Sequence, residues 1–231
     1  MTETAKHPDA AMPSASDFKL SFPAEEAAHV TASYKAAQVI LEYGSGGSTV
    51  LAARMPGKLV FSVESDRDWA IRLQQALDRS ELPSSAIIYP IDIGPTGAWG
   101  RPIDDRAWQN YHAYPTRIWD ESFFRHPDLV LIDGRFRPAC FAYACLRVQK
   151  PVTVLFDDYV NRPAYSAIER LVKPIRTIGR MAEFRLEPRQ YEGATLAFLL
   201  QLSTRVTFAG QSPDYSQLMA PPRSQPFRHS L

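Results

Sequence analysis

The sequence has little of three things, and each shortage argues against a class of protein. No run approaches the ~18 apolar residues of a membrane-spanning helix, and residues 1–6 (MTETAK) lack the apolar core of a signal peptide. The 26 basic and 25 acidic residues give a formal net charge of +1, which creates no general field for attracting phosphates. We therefore expect a cytoplasmic protein that binds neither membranes nor nucleic acid.

Cysteine is the third scarce component. Cys140 and Cys145 are the two cysteines of the chain, and they lie on a predicted helix at a spacing that puts them on different faces. This spacing favours two reduced structural thiols over a disulfide or a pair of metal ligands.

Length and composition suit one α/β domain with a tail at each end. The chain has 231 residues, of which 45% are hydrophobic and 22% are charged, and these are ordinary globular values. Proline, serine and small polar residues without periodicity predict a mobile N-terminal segment over 1–20. The single domain is then expected over 21–209, and a proline-rich loose tail over 210–231.

The rest of the chain is organised around residues 39–49 (VILEYGSGGST). An apolar run predicts a buried parallel strand, and the glycines that follow let backbone N–H groups approach a ligand closely. Ser48 and Thr49 can cap the helix that begins there. The pattern of strand, tight turn and helix predicts a nucleotide-like ligand.

The acid before the glycines distinguishes between ligand classes. A dinucleotide fingerprint needs Gly-x-Gly-x-x-Gly, but Thr49 stands where the third glycine should be. Glu42 precedes Gly44 by two residues, where a carboxylate suits a ligand that carries an ammonium group. Here the chain resembles the class I S-adenosylmethionine-dependent methyltransferases, whose first motif is an acid-x-Gly-x-Gly-x-Gly turn, with Ser48 in place of the last glycine.

This resemblance implies a set of cofactor-binding residues. Glu64 ends the second predicted strand, where its carboxylate can accept hydrogen bonds from both ribose hydroxyls. Asp92 and Ile93 end the third strand, where the resemblance places the adenine; Asp92 can equally be a turn-forming residue before Gly94. The implied binding set is Glu42, Gly44, Ser45, Gly46, Ser48, Glu64, Ser65, Asp92, Ile93 and Asp133.

The order of predicted elements extends the resemblance over residues 23–200. Five strands alternate with helices, and the chain then has two apolar segments, Met181–Leu186 and Thr195–Leu200, joined by a turn too short for a crossover. The resemblance implies a three-layer, Rossmann-like methyltransferase fold of the α/β class. Its seven-stranded sheet is mostly parallel and closes with a C-terminal antiparallel hairpin.

Residues 94–126 interrupt this pattern with a long segment rich in aromatic residues. Loops of this length in a compact domain are usually functional or disordered, and the aromatic content argues against disorder. We expect a cap or substrate wall, with a contact between copies of the chain in a homo-oligomer as one alternative and simple padding as another.

Three aspartates follow the fourth and fifth predicted strands and are candidate catalytic residues: Asp133, Asp157 and Asp158. Magnesium-dependent O-methyltransferases that resemble the catechol and caffeoyl-coenzyme A enzymes hold their metal with an Asp after strand four and an Asp-Asn pair after strand five. In this chain, Asp133 and Asp157 match the aspartates of that pattern, and Asp158 stands where the pattern has Asn. The resemblance thus implies a Mg²⁺ site that lowers the pKa of a substrate hydroxyl. Two alternatives remain, a metal-free base or substrate-binding role and structural pairing with Arg135 and Arg137.

The sequence therefore predicts a methyltransferase that uses S-adenosylmethionine to modify a small molecule, with oxygen acceptors favoured. Arg135, Arg137 and Arg162 could clamp an anionic substrate. A second hypothesis is a binding or interaction module that keeps the fold without catalysis; a filled, apolar pocket above residues 44–47 would favour it. A third is an NAD-dependent oxidoreductase, which the terminal hairpin and Thr49 disfavour.

Overall fold

The computed structural model describes residues 13–160 and 162–210, and the expectations for the two ends of the chain beyond these ranges lie outside it. Its centre is a seven-stranded sheet of order β3-β2-β1-β4-β5-β7-β6. The strands are β1 Val39–Tyr43, β2 Leu59–Glu64, β3 Ser85–Pro90, β4 Leu129–Ile132, β5 Val152–Phe156, β6 Arg176–Ile178 and β7 Met181–Leu186. The first five are parallel, and β7 runs antiparallel to both β5 and β6. This arrangement confirms the predicted fold class.

Burial on both faces explains why the central strands are so apolar. All four residues of β4 are buried, and β1 is buried from its second residue onward. Parallel strands covered by helices on both faces need near-continuous apolar sequence, which is the pattern that predicted them.

Helices cover both faces of the sheet. They are α1 Ala24–Ala36, α2 Gly47–Ala53, α3 Arg67–Arg79, α4 Ala113–Thr116, α5 Arg137–Arg147, α6 Pro163–Ser166 and α7 Gly193–Ser203. The cap of α3 is Asp66, whose side chain accepts a hydrogen bond from Trp69 N, and the cap of α2 is Gly46. Ser48 and Thr49 therefore lie inside α2, but Thr49 still takes part in capping as the sequence suggested, because its Oγ1 accepts a hydrogen bond from Gly46 N at 3.1 Å.

The terminal hairpin exists, but the sequence assigned one of its strands wrongly. Residues 195–200 lie within α7, and the partner of β7 is β6, joined to it through Gly179 and Arg180. The segment ATLAFLL is a short apolar run, and such runs do not distinguish a strand from a buried helix by periodicity. The decisive feature is tertiary, because Phe198, Leu199 and Leu202 are buried on a helix that packs against α5.

The aromatic segment folds onto the carboxyl end of the sheet. It contains α4 and short 3₁₀ turns, including Ala98–Gly100. Tyr43 at the end of β1 donates a hydrogen bond to the Pro115 carbonyl at 2.7 Å and accepts one from Trp119 Nε1 at 2.7 Å. These buried hydrogen bonds fix the segment directly above β1.

The last residues of the predicted N-terminal segment are packed in the structure. Ala15 is buried, and the ring of Phe18 lies edge-on to Trp69 with 5.1 Å between ring centroids. The missing side chain of Gly47 leaves room for the backbone of Lys19, which is 2.3 Å from where a Cβ would stand. The end of this segment, Lys19 and Leu20, therefore lies directly against the glycine turn.

Two further expectations concern composition. Cys140 and Cys145 are both buried and unbridged, as the sequence predicted. Among the residues described, no helix has the length and apolar character needed to cross a membrane.

Candidate active site

A cavity of about 360 Å³ lies where β1, β2 and β4 end. The carboxyl ends of parallel strands are the usual place for ligands in open α/β sheets. Its lining residues come from five segments of the chain: Lys19, Leu20, Ser21 and Phe22; Gly44, Ser45, Gly47 and Ser48; Glu64, Ser65, Asp66 and Trp69; Trp99, Gly100 and Tyr114; and Asp133, Gly134 and Arg135.

The glycine turn after β1 packs directly on a second turn after β4. Gly44 has a φ of +98°, and a Cβ there would lie 2.8 Å from Gly134 Cα. A Cβ on Gly134 would lie 2.2 Å from Tyr114 Oη and 2.7 Å from Gly44 N. The first position needs glycine for its backbone conformation as well as for space, and the second needs it for space. This close approach holds two walls of the cavity together.

Glu64 lines the cavity as predicted, and neutral donors hold its carboxylate. Oε2 accepts hydrogen bonds from Ser45 N at 3.1 Å and Ser45 Oγ at 2.8 Å. Oε1 accepts from Ser65 N at 2.7 Å and Asp66 N at 2.9 Å. These four donors orient the side chain without cancelling its negative charge, and they use about all of its acceptor sites. A ligand hydroxyl therefore binds Glu64 by replacing one of them, and the rotatable Ser45 hydroxyl is the one most easily replaced.

The structure places Glu42 beneath the glycine turn and not in the cavity wall. Its carboxylate is fully buried and accepts hydrogen bonds from Tyr34 Oη and Thr49 Oγ1, both at 2.5 Å. Burial raises the pKa of Glu42, and the bond from Thr49 opposes that rise. The side chain therefore links α1, β1 and α2 and does not line the cavity; its contact with a ligand's ammonium group stays a prediction.

The remaining predicted binding residues divide into two groups. Gly44, Ser45, Ser48, Glu64, Ser65 and Asp133 line the cavity together, whereas Glu42, Gly46, Asp92 and Ile93 do not. Ile93 is buried, and Asp92 accepts a hydrogen bond from Gly94 N at 2.8 Å, which is the turn-forming alternative. Asp92 instead lines a more open depression of about 540 Å³, which shares Ser65 and Asp66 with the main cavity.

The three candidate catalytic aspartates lie near one another but bind arginines. Arg180 holds the buried carboxylate of Asp157 through two hydrogen bonds, of 3.0 and 2.9 Å. Arg162 Nη2 donates to Asp158 at 2.7 Å, and Arg137 Nη2 donates to Asp133 at 3.0 Å. This is the structural pairing that the sequence left open, although Arg180 was not among the expected partners.

Arg137 ties together the ends of β4 and β5. It is buried, and its guanidinium donates to the carbonyls of Gly134, Asp157 and Asp133 at 3.1, 2.5 and 2.8 Å. Because the buried guanidinium of Arg137 already donates to these three carbonyls and to Asp133, its role is structural, and it does not present a free guanidinium to a substrate.

Asp133 differs from the other two aspartates because it lines the cavity. Its side chain is about a third exposed (31%). Burial and the neighbouring negative charge of Asp157 raise its pKa, and Arg137 opposes that rise. A carboxyl group in this state can hold or accept a proton near neutral pH.

The structure gives no support to the magnesium hypothesis. Within residues 13–160 and 162–210, no group of three or more His, Cys, Asp or Glu side chains is arranged to hold a metal ion. The carboxylate oxygens of Asp157 and Asp158 that would face a cation face arginines instead. Like charges exclude a cation from that position.

Several cavity residues were missed by sequence reasoning. Trp69 shares a helical apolar stripe with Leu73 and Leu77 in the sequence, which gives no sign of a polar role, but its Nε1 donates to the Ser45 carbonyl at 2.9 Å. Trp99, at 82% exposure and with φ of +63°, lies in the aromatic segment expected to form a wall. Residues 19–22 (KLSF) carried no signal beyond Leu20 and Phe22 in a polar stretch. Their contribution depends on how the segment folds back over the turn.

Comparisons with known proteins agree with this geometry. No family model and no curated protein matches the chain. An O-methyltransferase from Bacillus cereus, solved in complex with SAH, shares the fold at a TM-score of 0.50 and 15% identity, over 75% of this chain and 86% of that one. A methyltransferase-like protein from Silicibacter pomeroyi is 43% identical, with a TM-score of 0.78, over 81% of this chain and 97% of its own.

The fold is thus that of the class I methyltransferases. At this identity and coverage, the chain belongs to the methyltransferase-like family of which the Silicibacter protein is a member.

Proposed function

We propose that the protein is an S-adenosylmethionine-dependent methyltransferase acting on a small molecule, with oxygen as the acceptor atom. The observation that carries the proposal is the cavity at the end of β1, β2 and β4, with the Glu64 carboxylate in its wall. Membership of a methyltransferase-like family supports it. So does the fold shared with an O-methyltransferase that was solved with SAH.

The residues present fit this cofactor. The cavity volume of about 360 Å³ lies in the range of small-molecule sites, roughly 300–1,000 Å³. Glu64 offers acceptors for a pair of ribose hydroxyls, and the rings of Trp69 and Trp99 offer an apolar wall for a heterocycle. Glu64 and Asp133 also supply negative charge for a cationic ligand. When bound, S-adenosylmethionine supplies a methyl group on a positively charged sulfur.

Asp133 is the residue we assign to proton transfer. It lines the same cavity as Glu64, and its raised pKa suits a general base that takes a proton from an acceptor hydroxyl. Arg137, which donates to both its carbonyl and its carboxylate, positions the side chain. Asp157 and Asp158 act here as partners of arginines and not as catalytic residues. No metal ion is needed for this assignment.

The direct test is calorimetric titration of the folded protein with S-adenosylhomocysteine, with and without magnesium, and with NAD for comparison. Binding of S-adenosylhomocysteine alone, at equal affinity in both buffers, is the expected result. Binding of NAD instead would favour the oxidoreductase alternative. Failure of both ligands would overturn the proposal and make the non-catalytic interaction module the better explanation.

The Glu64→Ala variant tests the residue at the centre of the proposal. We expect it to weaken S-adenosylhomocysteine binding by about 1–3 kcal/mol, because charge-assisted hydrogen bonds to the ribose are lost. Glu81→Ala is the control, since Glu81 is exposed and lies outside the cavity. Unchanged affinity in Glu64→Ala would remove Glu64 from the binding site.

A further inference from the structure

A second, smaller cavity of about 40 Å³ adjoins the main one and shares Gly134 and Arg135 with it. It forms where the segment after α7 meets the aromatic segment, and the Ala209 amide donates to the Pro102 carbonyl there at 2.8 Å. Its other side chains include Tyr165, Arg137 and Arg205. Arg135 thus lies at the junction of the two cavities.

Three arginines near this junction have no ion-pair partner among the residues that the structure describes. Across residues 13–160 and 162–210, no ion pair involves Arg101, Arg135 or Arg205. The Nε atoms of Arg101 and Arg135 are buried and have no hydrogen-bond partner. Buried donors are nearly always satisfied in native proteins, so the unpaired Nε of Arg135, a residue that lines both cavities, points to an acceptor at this junction, either an ordered water or an anion.

A shortage of acidic residues does not explain why these arginines have no ion-pair partner. The chain has 25 acidic residues for 26 basic ones, and the neighbouring arginines 137, 162 and 180 all have aspartate partners. Burial lowers the pKa of Arg135, and the positive charges of Arg137 and Arg101 lower it further. Burial also lowers the pKa of Arg205. An anion between these side chains would reverse the unfavourable effect of burial.

We propose that the acceptor substrate carries an oxyanion, a carboxylate or a phosphate, which binds in the smaller cavity to Arg135 and Arg205. The planar guanidinium fork matches both oxyanions, and paired N–H donors give charge-assisted bonds. Because Arg135 lines both cavities, a substrate held here by its anion has its remaining part next to the main cavity and Asp133. As a statement about the acceptor, this inference rests on the proposed function.

The test is calorimetric titration of the full-length protein with inorganic phosphate and with benzoate, each with and without S-adenosylhomocysteine. Benzamide, which has the shape of benzoate without its charge, is the neutral control probe. We expect one anion to bind and benzamide not to. Binding of phosphate alone assigns a phosphorylated acceptor, and binding of benzoate alone assigns a carboxylate. Failure of both anions at millimolar concentration, or equal binding of benzamide, overturns the proposal.

Variants locate the site. Arg135→Gln and Arg205→Gln should each weaken anion binding about tenfold or more, the size expected for a lost charge-assisted contact. Arg185→Gln removes the same charge from an exposed position outside both cavities and should have no effect. If Arg135→Gln does not fold, Arg135→Lys takes its place, because it keeps the charge and removes the guanidinium fork that pairs with an oxyanion. Anion affinities equal to the wild type in the cavity variants overturn the proposal.

The two proposals can fail separately. Anion binding in a protein that does not bind S-adenosylhomocysteine would overturn the cofactor assignment and support the anion site. Binding of S-adenosylhomocysteine without either anion would do the reverse.

Discussion

The two halves of the sheet present carboxylates at the same edge, but these carboxylates have different partners. In the first half, Glu42 and Glu64 accept hydrogen bonds from hydroxyls and backbone amides, and no ion pair of the described residues involves either. In the second half, Asp157 and Asp158 are bound by arginines. Of the first pair, Glu64 lines the cavity and keeps its charge for a ligand, whereas Glu42 is buried beneath the turn; the aspartates held by guanidinium groups are part of the scaffold.

This difference explains why similar sequence positions have different roles. Strand ends alone predict that acids gather at one edge. The partners decide which acid remains available, and Asp133 is intermediate because it binds Arg137 and still lines the cavity. We therefore expect changes in the first half to alter ligand binding and changes in the second half mainly to alter stability.

The largest expected effect comes from the contact that joins the halves. In Gly44→Ala, the added Cβ would meet the backbone of Gly134, in a left-handed conformation that costs a further increment. We expect a loss of roughly 3 kcal/mol or more in the free energy of unfolding, measured by urea denaturation. Gly57→Ala is the matched control, since Gly57 also has a positive φ of +73° but open space around it. Its loss should be about 1 kcal/mol. Equal losses would mean that the contact between the two turns is unimportant.

Asp157→Asn should have the next largest effect. The variant leaves the buried Arg137 and the partly exposed Arg180 without their full counter-charge and changes a buried carboxylate, and we expect a loss of about 2–4 kcal/mol in the free energy of unfolding. The control is Asp120→Asn, which removes an exposed partner of Arg147 and should cost below about 1 kcal/mol.

Unfolding measured with magnesium and with a chelator is the complementary experiment on Asp157 and Asp158. Wild-type unfolding should be the same with magnesium as with a chelator, because arginines hold the aspartates. A stabilisation by magnesium that disappears in Asp157→Asn would contradict the division between the halves and restore the metal hypothesis.

The sequence predicted the sheet well because the buried strands carry a strong local signal. The order of elements, Glu64 and the turn at Gly44 followed from apolar runs and from glycines placed where backbones approach closely. The segment 195–200 was predicted wrongly, because an apolar run of that length fits either a strand or a buried helix. The helix forms because its apolar side chains pack against α5, a contact that the local sequence does not show.

The site was less predictable than the fold because side-chain partners come from distant parts of the chain. Arg180 reaches Asp157 from the turn between β6 and β7, and no local pattern indicates that contact. Glu42 resembles a ligand-binding acid in sequence, but Tyr34, one helix earlier, covers it. Residue type and strand position were therefore sufficient to find the acids and insufficient to say which of them faces the cavity.

Asp133 gives a pH test of its intermediate position. Because its pKa is raised from its ordinary value of 3.8 to about 7 in the folded protein, the folded state binds more protons than the unfolded state between those pH values. Its contribution to stability must then fall as pH rises through that window. In Asp133→Asn this contribution is absent, so the variant should gain stability relative to the wild type between pH 5 and pH 8, with the gain reduced by solvent screening. Urea unfolding at both pH values measures it. A difference independent of pH would mean that Asp133 titrates normally.

The smallest expected effect concerns Trp99, an exposed residue of the aromatic segment in the wall of the main cavity. Trp99 lies in the cavity lining at 82% exposure, so its removal should cost little stability. If its ring packs on a bound heterocycle, Trp99→Ala should weaken S-adenosylhomocysteine binding by about 0.5–1.5 kcal/mol, or roughly two- to tenfold. Trp108→Ala is the matched control, because Trp108 belongs to the same aromatic segment and is also exposed, at 64%, but does not line the cavity. Calorimetry on both variants separates the two roles of the segment. Weaker binding in Trp99→Ala alone would assign the segment to the cofactor site, whereas equal affinities in both variants and the wild type would confine cofactor recognition to the strand ends around Glu64.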